Sequence, residues 1–148
     1  MSEGELYVTY AKQDEDKEDD VAGKGNGFVD VFDTDGNFIQ HVASRGHLNS
    51  PWGSVFAPAD FGRFSNDLLV GNFGDGRINA YSWEGDHFHG QLHGPDGQPF
   101  SIDGLWALRF GNGGAAGSTN NLFFTAGING EADGLFGSLV ACERNQCQ

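Results

Sequence analysis

Fifty-four positions separate Trp52 from Trp106, and the same offset links Phe56 with Phe110, Asn66 with Asn120 and Leu68 with Leu122. The segment Asp67-Leu68-Leu69-Val70-Gly71 therefore aligns with Asn121-Leu122-Phe123-Phe124-Thr125, and Glu5-Leu6-Tyr7-Val8-Thr9 is a third version of it. A second series repeats at offset 49: Gly27-Phe28-Val29-Asp30-Val31-Phe32 aligns with Gly76-Arg77-Ile78-Asn79-Ala80-Tyr81. Its third version is Gly134-Leu135-Phe136-Gly137-Ser138-Leu139. Short apolar segments and Gly-rich turns recurring every fifty or so residues are built by stacking like units, and this period suits the four-stranded blade of a β-propeller.

The repeats predict ten strands. The middle unit is complete, with strands near 52–57, 67–72, 76–82 and 87–92. The first unit has strands at 5–10, 27–33 and 38–43 and lacks a leading strand; the last has 105–110, 121–126 and 134–141 and lacks a closing one. The expected fold is all-β: a β-propeller fragment of about two and a half to three four-stranded blades, at 5–43, 52–92 and 105–141, within residues 1–141. A tail follows at 142–148. A ring needs at least about four blades, so the fragment is expected to be completed by oligomerisation. The homodimer is the first choice, because closed two-fold assemblies are the commonest.

Composition agrees with this reading. Of 148 residues 24 are Gly and 13 Phe, while Lys and Arg total only 8, too few for long salt-bridged helices. The formal charge of −13 opposes binding to nucleic acid or to an anionic membrane. No stretch approaches the apolar length of a membrane-spanning helix. Met1-Ser2-Glu3-Gly4-Glu5 has neither the basic nor the apolar region of a signal peptide. Cys142 and Cys147 could pair or stay free, and a lone C-x4-C is a poor zinc site.

An up-and-down meander brings its alternate connections to one rim. Here these are 11–26, 73–75 and 127–133, together with 44–51 and 93–104. They hold the acidic run Asp14 to Asp20, and His47, Asn49, Asn72, Asp75, Asp103, Asn129, Glu131 and Asp133. Oxygen donors of this kind suit a hard cation such as Ca²⁺. The leading ligands are Asn49, Asn72, Asp75 and Asp103, with Asn129, Glu131 and Asp133 in reserve. Each is equally a turn residue that bonds its own backbone. His47 lies on this rim and is a candidate general base, as is Asp103. Asp33-Thr34-Asp35-Gly36-Asn37 begins like an EF-hand loop but has no Glu at the twelfth position, and it reads as a hairpin turn. His87 and His89 share a strand face and read as a solvated edge. Trp52, Trp106, Phe56 and Phe110 read as core between units.

Gly27-Phe28-Val29-Asp30-Val31-Phe32-Asp33, Ser50-Pro51-Trp52-Gly53, Phe56-Ala57-Pro58, Leu69-Val70-Gly71-Asn72-Phe73-Gly74-Asp75-Gly76 and Asp103-Gly104-Leu105-Trp106 resemble an uncharacterised group of bacterial β-propeller proteins related to NHL-repeat and SMP-30/gluconolactonase-like propellers. The resemblance covers residues 5 to 140 and the C-terminal half of the usual member, whose full-length forms it implies to be secreted. It implies rim-bound Ca²⁺ and hydrolysis of lactones. With the negative charge, that points to a metal-dependent lactonase acting on a small neutral ester or lactone, such as an acyl-homoserine lactone. Catalytic His47 and Asp103 would then stand beside a Ca²⁺ held by Asn49, Asn72, Asp75 and Asp103. The alternatives are a non-catalytic binding or scaffold propeller and a degenerate half-propeller.

Overall fold

A computed structural model describes residues 4–83 and 87–141. Cys142 and Cys147, and the tail to which they belong, lie outside the described residues. The strands are β1 (Glu5–Ala11), β2 (Gly27–Asp33), β3 (Phe38–Ser44), β4 (Pro51–Phe56), β5 (Leu68–Asn72), β6 (Ile78–Tyr81), β7 (Phe88–Gln91), β8 (Leu105–Phe110), β9 (Asn121–Ile128) and β10 (Asp133–Val140), with one short 3-10 turn at Gly62–Phe64. They form three antiparallel meanders: β1-β2-β3, β4-β5-β6-β7 and β8-β9-β10. The chain is therefore all-β, and each of the ten expected strands falls within a few residues of its expected place. The sheets do not close into a barrel or ring. The architecture is three small antiparallel sheets of three, four and three strands.

The offset of 54 is a repeat of structure and not only of letters. Pro51 pairs with Asn72, Ser54 with Val70, Val55 with Leu69 and Phe56 with Leu68. Moving each residue by 54 gives Leu105 with Ala126, Leu108 with Phe124, Arg109 with Phe123 and Phe110 with Leu122. Both pairings carry the same irregularity after their first pair. The bond that closes the far end of each pair repeats too: Ala57 N–H donates to the Asp67 carbonyl at 2.9 Å, and Gly111 N–H to the Asn121 carbonyl at 3.1 Å.

Packing follows from burial on both faces. All residues of β5 and β6 are buried, and such strands read as continuous apolar runs because neither face meets water. Alternate residues point to alternate neighbours. Leu68, Val70 and Tyr81 pack with Val29, Val31, Val42 and Leu48 between the first and second sheets. Leu69, Ile78 and Ala80 pack with Leu105, Leu108, Leu122 and Phe124 between the second and third. The structure thus has two inter-sheet cores. Of the aromatic residues assigned to them, Phe56 and Phe110 are partly buried against a core, whereas Trp52 is 56% exposed. The irregularity after Pro51 places the Trp52 ring outside both cores.

Strands β4 and β8 lie against each other at Gly53. A Cβ at Gly53 would stand 2.5 Å from the Trp106 carbonyl oxygen and 2.8 Å from Leu108 N. The obstruction is backbone, which does not swing aside. Gly53→Ala should therefore cost about 1–3 kcal/mol, the usual range for overpacking. Gly134→Ala, where a Cβ meets nothing within 4 Å, should be close to neutral. Urea denaturation of the two variants checks this; equal midpoints would contradict it.

Candidate functional site

The candidate rim is built from the connection 44–51 and the turn after β5. Arg45 (φ 57°) and Gly46 (φ 53°) are both left-handed and reverse the chain after β3. The loop then turns inward, and Leu48 is fully buried. Its polar backbone needs partners at that depth, and the rim amides supply them. The His47 carbonyl accepts from Asn72 Nδ2 at 2.9 Å and from Asn79 Nδ2 at 3.1 Å. Asn49 Oδ1 accepts from Gly23 N–H at 2.6 Å. The Asn49 carbonyl accepts from Gly74 N–H at 3.1 Å, and the Ser50 carbonyl from Phe73 N–H at 2.8 Å. The side chains of Asn72 and Asn79 are completely buried.

The turn itself is shaped by Asp75. Its Oδ1 accepts from Asn72 Nδ2 at 3.1 Å and from Arg77 N–H at 3.2 Å. Gly76 (φ 69°) donates to the Asn72 carbonyl at 3.0 Å and accepts from Ile102 N–H at 3.0 Å. Ser101 Oγ donates to the Asp75 carbonyl at 3.0 Å. The turn is thus clasped by the connection that precedes its sheet and by the one that follows it.

One sheet later the clasp recurs. Gly127 N–H donates to the Gly104 carbonyl at 2.8 Å, which is the Phe73–Ser50 bond moved by 54 positions. Asp103 stands where Asn49 does, and its Oδ2 accepts from Asn129 N–H at 3.0 Å. Asn129 Nδ2 donates to Asp133 at 2.9 Å, and Trp106 Nε1 to Glu131 at 3.0 Å.

Of the four expected cation ligands, the side chains of Asn72 and Asp75 are hydrogen-bonded to each other. Asn49 is tied to the loop of the first sheet and Asp103 to that of the third. Three of the four already accept hydrogen bonds from N–H groups. Asn72 Oδ1 is buried without a hydrogen-bond partner among the described residues, and a single such oxygen falls far short of the six to eight that Ca²⁺ takes. No group of three or more His, Cys, Asp or Glu side chains able to hold a metal occurs among the described residues. As placed, the four side chains make separate hydrogen bonds rather than one shared shell of oxygens.

The imidazole of His47 lies flat on Phe88, with ring centroids 3.8 Å apart and planes 8° apart. Partial burial, with smaller contributions from Lys24 and Arg77, holds its pKa below the ordinary histidine value, and Asp75 opposes this weakly. The ring is neutral near pH 7 and rests against an apolar surface. Of the other histidines, His89 Nδ1 meets both oxygens of Asp67 at 2.9 Å, and His41 Nδ1 meets Asp30 at 2.7 Å. Asp33, expected in a hairpin turn, accepts from Asn37 and Asp35 N–H within the β2–β3 turn. Its carboxyl is held below the usual value first by the Asn37 side chain and then by these backbone donors.

Sequence reading missed Asn79, Gln91 and Ser50. Gln91 Nε2 donates to Asn79 Oδ1 at 2.9 Å and keeps the buried amide oriented. The available signal was Asn79 standing at offset 49 from Asp30, since a polar residue inside an otherwise apolar buried strand must have a partner. Ser50 has φ 49°, is fully buried, and its Oγ lacks a partner among the described residues. Its counterpart, 54 positions on, is Gly104 with φ 59°.

Relief of the left-handed strain favours glycine at Ser50 by roughly 1–2 kcal/mol, and chain entropy opposes it by roughly 0.5–1 kcal/mol. Removing a buried hydroxyl that bonds nothing adds to the gain. Ser50→Gly should raise unfolding stability by about 1 kcal/mol in urea titration; a loss of stability would contradict the strained-linker reading.

The chain is 40% identical over 137 residues to an uncharacterised protein of Acanthamoeba polyphaga mimivirus, covering 90% of this chain and 32% of that protein. A second uncharacterised protein of the same virus is 39% identical over 138 residues, 91% of this chain and 35% of its own length. A third is 38% identical over 82 residues, 55% and 16% of the two lengths. The chain thus spans about a third of the length of the first two curated relatives. No family model matches it, and no solved structure does. The expected kinship with bacterial NHL-repeat and SMP-30/gluconolactonase-like propellers is overturned: the matches are to viral proteins.

Proposed function

We propose that this chain is a non-catalytic scaffold segment, in which three blade-like sheets form part of a propeller-like repeat array. One observation carries the reading: the polar side chains on the rim are consumed in holding one sheet to the next. Asn49 and Asp103 occupy equivalent positions, and each accepts a backbone N–H from a neighbouring loop. Asn72 and Asn79 converge on a single carbonyl. A hydrolase of the expected kind would need several of these oxygens free to face a metal and a substrate. The relatives are about three times longer than this segment, which accords with an array continued by further units.

The experiment is thermal unfolding with Ca²⁺ and with EDTA, beside turnover of a neutral lactone and a neutral ester. The scaffold reading gives equal unfolding temperatures in both buffers and no turnover above background. Asn72→Ala removes a buried donor shared by His47 O and Asp75, so it should lower stability by about 1–3 kcal/mol with or without Ca²⁺. Unfolding that rises with Ca²⁺, together with EDTA-sensitive turnover lost in Asn72→Ala and Asp103→Ala, would replace the scaffold by the calcium lactonase.

A further inference from the structure

Each sheet has a rear face, turned to the sheet before it, and a forward face, turned to the sheet after it. The first sheet turns Tyr7, Val29 and Val31 forward, and the second meets them with Leu68, Val70 and Tyr81. The second turns Leu69, Ile78 and Ala80 forward, and the third meets them with Leu105, Leu122 and Phe124. The two interfaces are built alike, although the first sheet lacks the strand that would match β4. Leu68 and Val70 of the second sheet stand 54 positions from Leu122 and Phe124 of the third, and Leu6 and Val8 hold the matching places in β1. Likewise Leu69, on the forward face of the second sheet, corresponds to Phe123 in the third.

Two faces are left over. The rear face of the first sheet presents Leu6, Val8, Tyr10, Phe28 and Phe32, brought into register by the β1–β2 pairing. Leu6 is 50% exposed and Tyr10 41%. The forward face of the third sheet presents Phe123 stacked on Phe136, with centroids 5.6 Å apart and planes 6° apart, and Val140 beside them. Phe136 is 69% exposed and Val140 59%. Exposed apolar residues grouped in this way mark an interaction surface. The charges are opposite: the rear face carries Asp30, paired with His41, and the forward face carries Arg109, which pairs across the sheet with Phe123.

We propose that these two faces are the halves of a third copy of the same interface, and that a second copy of this chain joins them head to tail. The inference rests on reading the three sheets as like units of an array. A rear face is the surface that a forward face packs against twice within the chain, so the two free faces match each other better than either matches itself. Such a contact is heterologous. It either closes a ring, when each copy uses both of its faces, or propagates. The small closed ring of two copies leaves neither apolar face in water, and it is the form expected in dilute solution.

The test uses two variants and their mixture, with size read by analytical ultracentrifugation at about ten micromolar and fold by circular dichroism. Wild type should sediment as a dimer. Leu6→Asp spoils the rear face and Phe136→Asp the forward face, and each alone should sediment as a monomer with an unchanged β spectrum. Mixed in equal amounts they should form a heterodimer through the two faces left intact, more weakly than wild type because one contact replaces two. Tyr10→Lys and Val140→Lys form a second pair if either first variant fails to fold. A wild-type monomer overturns the proposal, as does a variant that still self-associates or a mixture that stays monomeric. Failure here is distinct from failure of the scaffold reading. A monomer that neither binds Ca²⁺ nor turns over lactone keeps the scaffold and loses only the head-to-tail contact.

Discussion

Everything in this structure depends on how closely β4 and β8 approach through Gly53. With only hydrogen on that Cα, the backbone of one sheet rests on the backbone of the next. The side chains beside the contact, Leu69, Leu105 and Leu108, then close over it as a core. Gly71, on the adjacent strand, sets a softer limit: a Cβ there would stand 2.9 Å from Leu105 Cδ2, the end of a side chain that can turn aside.

Close backbone approach has a cost. Connections that pass from one sheet to the next are drawn inward, where their N–H and C=O groups lose water. The amides of the rim answer that need. Asn72 and Asn79 donate to the His47 carbonyl, and Asn49 and Asp103 accept from the loops beside them. In this structure these side chains hydrogen-bond the buried turns around them. An amide suits this work better than a carboxylate, because it both donates and accepts and carries no charge into the interior. That accounts for Asn at the two completely buried positions and Asp at Asp75 and Asp103, nearer solvent.

The sheet order and the strand positions were legible because repetition is a non-local signal. The offset of 54 relates Pro51–Asn72 to Leu105–Ala126 without any knowledge of the fold. The site was less legible. Spacing alone does not say whether the oxygens of Asn49, Asn72, Asp75 and Asp103 face a cation or a peptide N–H. That depends on where the neighbouring backbone lies, as the Gly23–Asn49 bond shows. Trp52 was misjudged for a related reason: its aromatic character suggested core, while the irregularity after Pro51 turned it to solvent. Descent was misread because short turn motifs carried the resemblance, whereas the matches along the chain are to viral proteins.

The central claim is that the clasps at Ser50 and Gly104 are structural and equivalent. Amide hydrogen exchange on the native protein tests it at two named sites, Phe73 N–H and Gly127 N–H, which donate to those carbonyls. If the clasps anchor each inter-sheet connection to the turn of the sheet that follows, both amides exchange as slowly as those of β5 and open only with the cooperative unit. Ala107→Pro or a similar break in β8 would then release Gly127 without releasing β2. If either amide instead exchanges at the rate of an exposed loop while β5 stays protected, the connections are not anchored to the turns, and the clasps are no more than surface turns.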